Sequence, residues 1–214
     1  MKIDKNNAAG YINKKEKAIK EGVRIIAITS GPITRKNRKK ELGTDTLTVG
    51  VIGRRGAIEG ILSCYIECDG NDATRKIIHM ISKSRFKEQI KIIALNGIAL
   101  AGLNVVNVDL LEKKLKVDVI IITRDKPRPS KLLSAIEVYR NEGITKKRNL
   151  NADEKRLLVK RANARNIFHE EGFYIQTRKE IGDIRSNIVQ CFELLRLSHI
   201  IARGVKTGES RGRI

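Results

Sequence analysis

The first strongly apolar run, residues 23–28 in "VRIIAI", shows no polar alternation, which predicts a strand covered on both faces. Two more runs follow, "TLTVGVI" at 46–52 and "IEGILSCYIE" at 58–67. Only "GRRGA" separates them, so they predict an antiparallel hairpin. The pattern then changes period. Ala73, Ile77, Met80, Ile81 and Ser84 share one face of a helix over 72–84, which Asp69 or Asn71 is placed to cap and Asp72 to favour by its charge. A buried strand is predicted at 90–96, a short helix near 107–115 and a strand at 117–123. Helical spacing recurs at about 130–140 and 152–165, before a short strand at 173–178 and a helical region beginning near 180.

Three sequential strands followed by helix–strand–helix–strand describe an α/β fold with a mixed five-stranded sheet. Strands 1–3 are antiparallel, strands 4–5 are parallel across crossovers, and helices cover both faces. With the first strand beside the fourth, Thr29-Ser30 and Asn96-Gly97 meet at one crevice, the place where open α/β sheets bind ligands. Residues 1–22 read as a basic N-terminal extension, and residues 23–214 as a single domain.

Charge changes this picture most. Among 214 residues, 44 Lys and Arg face 24 Asp and Glu, a formal net charge of +20 that points to a polyanionic partner, DNA or RNA. Aromatic residues make up only 4% of the chain, so base stacking on rings is a minor element of any binding model. The longest apolar stretch, 92–106, is broken by Asn96, Gly97, Gly102 and Asn104, and no apolar leader opens the chain. The expectation is a cytoplasmic protein without a membrane partner; its oligomeric state is left open. Three cysteines suggest no disulfide framework, and Cys64 and Cys68 lack the second pair a zinc site needs.

Familiar catalytic spacings are missing. "GIALAG" at 97–102 has phosphate-loop glycines, but Leu103-Asn104 replaces the Lys-Ser/Thr pair. No nucleophile elbow is present. Basic residues cluster in "RKNRKKE" directly after the first strand, where Arg35, Lys36, Arg38, Lys39 and Lys40 are candidate phosphate contacts together with Arg211 and Arg213.

The phrases "RIIAITSGPI", "CDGNDAT", "IKIIALNGIALAGLNVVNVDLL" and "RLSHIIARGVKTGESRGR" resemble an archaeal family catalogued as domain of unknown function ninety-nine, distantly related to endonuclease V. The resemblance implies a ribonuclease H-like fold. It implies a metal-binding edge in which the first strand ends in Asp-Asp-Gly-Pro and the fourth in Asp-Gly. This chain has Thr29-Ser30-Gly31-Pro32 and Asn96-Gly97 there. Asp69 and Asp72 match the pattern as metal ligands, Asp72 also as a catalytic residue alongside His199, Glu209 and, more loosely, Lys126. Mg²⁺ or Mn²⁺ would be the cofactor, weakly held, because hard cations are retained by anionic oxygens. Two expectations compete. One is a nucleic-acid-binding protein with weak or lost metal-dependent nuclease activity; the other is an active endonuclease acting through the remaining acids.

Overall fold

In a computed structural model, residues 22–33, 44–141 and 151–210 are described. The elements run β1 (Arg24–Ser30), β2 (Asp45–Arg54), β3 (Ala57–Glu67), α1 (Ala73–Ser82), β4 (Ile90–Leu95), β5 (Ala99–Leu100) and β6 (Asn104–Val105). They continue α2 (Val108–Leu115), β7 (Asp118–Thr123), α3 (Pro129–Asn141), α4 (Ala152–Asn163), β8 (Asn166–Glu170), β9 (Phe173–Thr177) and α5 (Ile181–Thr207).

The sheet has seven strands in the order β3-β2-β1-β4-β7-β9-β8, where five were expected. The antiparallel first three strands and the parallel β1–β4–β7 core agree with the pattern reading. The difference lies at the far edge, where β9 pairs antiparallel with β7 and carries β8 outside it. Asn166, Ile167 and His169 of β8 are exposed, so this edge strand lacks the apolar run by which a strand is recognised. A separate two-stranded ribbon, β5–β6, sits in the loop after β4.

Each face of the sheet carries its own core, as the period of two requires. Ile26 and Ile28 of β1 pack with Ile77, Ile81 and Leu111 beneath α1 and α2. Ile25 and Ala27 pack with Ile184, Leu194 and Leu195 of α5 on the opposite face. A smaller cluster of Leu103, Val105, Ile136, Ala152 and Val159 joins α3 and α4 to the β6 ribbon. Strands β1, β3, β4 and β7 all run in one direction, so their carboxyl ends share one edge. Gly31 brings the end of α5 to that edge. A Cβ there would stand 3.4 Å from the carbonyl oxygens of Ala202 and Leu47 and from Lys206 Cδ. No helix among the described residues is long and apolar enough to cross a membrane.

Candidate site at the carboxyl edge of the sheet

The register Ile28↔Leu95 makes Thr29 and Asn96 the next positions on neighbouring parallel strands. The crevice expected between strands one and four is therefore a real juxtaposition. Both residues lie on the α5 face. Thr29 is buried, and its Oγ1 lies 2.8 Å from Ser198 Oγ, which in turn donates to the Val49 carbonyl at 3.0 Å. Asn96 lines a cavity of about 80 Å³ with Thr123, Phe173, Phe192 and Leu195. His199 stands on the face of α5 that Leu195 shares, one turn nearer the carboxyl edge. Burial, with the Arg203 charge adding to it, lowers the His199 pKa from its ordinary value and favours the neutral imidazole.

Ser30 turns the other way. Its Oγ accepts from the Ala101 amide at 2.8 Å, while the Ala101 carbonyl accepts from the Asp69 amide at 2.8 Å. One residue of the β5–β6 loop thus bridges the ends of β1 and β3. Asp69 is fully buried in left-handed backbone geometry, φ 58°. Its carboxylate accepts from Leu103 N at 2.6 Å and from the Tyr139 hydroxyl at 3.1 Å, with Cys68 Sγ at 3.6 Å. Asp72, rather than Asp69 or Asn71, occupies the N-cap position of α1, and it makes no side-chain cap bond. Its Oδ1 accepts instead from Glu67 N at 3.1 Å and Asn104 Nδ2 at 2.7 Å. Asn104 completes the clip by accepting from Ala73 N at 3.1 Å.

Lys126 lies in the loop after β7, exposed between Arg124 and Arg128. Glu209 follows the α5 C-cap Gly208, also exposed, with its carbonyl accepting from Thr207 Oγ1 at 2.7 Å. The structure therefore gathers Thr29, Asn96 and His199 on the α5 side of the edge. Ser30, Asp69 and Asp72 lie on the α1 side, with the sheet between the two groups. Arg35, Lys36, Arg38, Lys39, Lys40, Arg211 and Arg213 lie outside the described residues, as do residues 1–21 of the expected extension.

A divalent cation needs converging anionic oxygens. Thr29 and Asn96 bring neutral groups, and the Asp69 carboxylate is already engaged by the fold. Among the described residues no three His, Cys, Asp or Glu side chains are grouped to hold a metal ion. Thr29 and Asn96 themselves therefore offer Mg²⁺ or Mn²⁺ no anionic oxygen.

Several contributors escaped the sequence reading. Ser198, beside His199, had no signal except a hydroxyl at a buried helical position. Tyr139 and Asn104 act through contacts 70 and 32 residues away in the chain. Lys155 did leave a trace, because it shares the buried stripe Ala152, Val159, Ala162 of α4. It donates to the Asp69 carbonyl at 2.9 Å. Burial pushes its pKa down to about 8, against the opposing pull of Asp69, Glu67 and Glu154. A slot of about 230 Å³ also opens at this edge, lined by Ile98, Thr123, Pro127, Arg128, Leu132 and Gln176 among others.

A family model described as endonuclease dU matches residues 21–206. A UPF0215 protein of Methanothermobacter thermautotrophicus is 32% identical over 208 residues, 94% of this chain and 96% of the relative. A crystal structure of an Archaeoglobus fulgidus protein is 29% identical, covers 86% of this chain and 98% of its own, and superposes with a TM-score of 0.68. The crystal structure of human ENDOV aligns over 85% of this chain and 83% of its own, at 9% identity and a TM-score of 0.46, a likeness that transfers no residue role. On the span of the family model and the near full-length relatives, the chain belongs to the endonuclease dU family.

Proposed function

We propose that this protein binds nucleic acid along the carboxyl edge of its sheet, with metal-dependent phosphodiester hydrolysis weak or lost. The observation that carries the reading is the pairing of neutral Thr29 and Asn96 at the ends of adjacent parallel strands, in a chain of net charge +20. Phosphates are drawn by positive charge alone, whereas hydrolysis on such an edge needs anionic oxygens to concentrate a cation. Arg124, Lys126 and Arg128 on one side and Arg203 and Lys206 on the other supply charge beside the crevice. The apolar slot bounded by Pro127, Leu132 and Ile98 suits an unstacked base next to those phosphate contacts.

Filter-binding titrations with single- and double-stranded DNA and RNA over a series of salt concentrations test this. Affinity should fall linearly on logarithmic axes as counterions are released. Absent affinity, or affinity indifferent to salt, would refute it.

A second reading, an active endonuclease, is favoured by the family description itself, which names a nuclease. Asp72 and Glu209 would then serve as the remaining acids, assisted by His199 and Lys126. Asp72→Asn separates charge from scaffold, because the amide oxygen still accepts from Glu67 N. Cleavage that needs Mg²⁺ or Mn²⁺ and disappears in this variant would establish the second reading.

A further inference from the structure

The two edges of the sheet are treated very differently. β8, at one end, is five residues long and carries Asn166, His169 and Glu170. Short, polar edges resist pairing with another chain. β3, at the other end, is eleven residues long, and no strand among the described residues pairs with its outer side. In a chain with 44 Lys and Arg, "AIEGILSCYIE" has none, and it has no Pro. The bulge that leaves Glu59 without a ladder partner blunts only the start of the strand, so 60–67 runs uninterrupted. Its acids are few: Glu59, held by Arg24 and Arg54, and Glu67.

The face of β3 is also uncovered on one side. Gly60 is packed against Phe86 on the α1 side, where a Cβ would come within 2.8 Å of the ring. On the α5 side the ladder pairs Ile61 with Val51 and Tyr65 with Leu47. Val51 and Leu47 are covered by α5, but the helix stops short of β3 and leaves Ile61 54% and Tyr65 55% exposed. Among the described residues, an unpaired edge and an apolar stripe therefore coincide on one strand.

We propose that β3 is the interface of a two-fold dimer, in which β3 of a second copy pairs antiparallel with it and continues the sheet. Charge selects this occupant. A strand without cations does not attract a nucleic acid, whereas two copies of a +20 chain meet with least repulsion where neither carries Lys or Arg. Antiparallel pairing also directs the Glu67 end of each strand towards the Arg54-Arg55 turn of the other, and the two-fold axis makes this happen twice. Ile61 and Tyr65 of the two copies then cover one another in the gap between the two α5 helices.

Sedimentation velocity at micromolar concentration, in salt high enough to strip nucleic acid, should give twice the chain mass. Ile61→Lys with Tyr65→Lys, both at exposed positions, should halve it. Peptide-level hydrogen exchange on the unaltered protein provides a readout that needs no variant: amides of 60–67 should exchange more slowly at high protein concentration than after dilution. A wild-type monomer with concentration-independent exchange would overturn the proposal. So would a dimer that survives the double substitution, or a different protein bound in stoichiometric amount at this strand.

Discussion

Thr29 and Asn96 stand side by side at the ends of adjacent parallel strands, and Thr29 is not idle. The Thr29 hydroxyl is tied to Ser198 and through it to the Val49 carbonyl, so β1, β2 and α5 meet at a polar contact inside an apolar layer. Such a contact is worth about 1 kcal/mol when both partners are present, and its members cost more when orphaned. Thr29→Asp combined with Asn96→Asp places two carboxylates on adjacent strand ends. In chelator the double variant should be less stable than the wild type, because one new charge is buried and the other half-buried beside it. Mn²⁺ should then restore stability in urea titrations as it binds the native state, with Mn²⁺ affinity at least tenfold above wild type (about 1.4 kcal/mol). Equal Mn²⁺ affinity in the two proteins would show that these positions do not face a common site.

At the scale of elements, α3 and α4 are fastened to the sheet by polar contacts as well as by packing. Tyr139 reaches the Asp69 carboxylate from α3, and Lys155 reaches the Asp69 carbonyl from α4. The lowered pKa of Lys155 has a definite consequence. Between about 8 and its ordinary 10.5, the unfolded chain holds a proton that the folded chain has released. Stability from this group therefore rises with pH across that window, and its charging cost is fully present below it. Comparison with Lys155→Met isolates the effect. The stability advantage of the variant, from urea midpoints at several pH values, should shrink as pH climbs from 8 towards 10.5. A constant difference would mean that Lys155 titrates normally. The central elements were legible in advance because unbroken runs such as "RIIAI" and "IKIIAL" admit no other period. The outer hairpin of the sheet was half legible: "FYIQT" has an apolar face, but "NIFHE" is an exposed edge whose pairing with β9 is set by tertiary contact. For the same reason the Asp69–Tyr139 and Thr29–Ser198 contacts left no local mark.

Across the whole molecule, the sheet presents two unlike edges. Its carboxyl edge collects the crevice, the slot beside Pro127 and the flanking cations, while its β3 edge is free of cations. The parallel β1–β4 neighbourhood that brings Thr29 to Asn96 was readable from strand order. The neutral character of the two strand ends was readable from Thr29 and Asn96 themselves. That Asp69 is buried and bonded to Leu103 N and the Tyr139 hydroxyl was not readable, since a buried aspartate and a metal-binding one look alike in a sequence. The most direct test incubates labelled strands, plain and containing deoxyuridine, with excess protein through a Mn²⁺ series and separates bound, free and cut species. The account predicts bound and uncut strands throughout, with at most a trace of product. Efficient Mn²⁺-dependent cutting by the wild-type protein would contradict it.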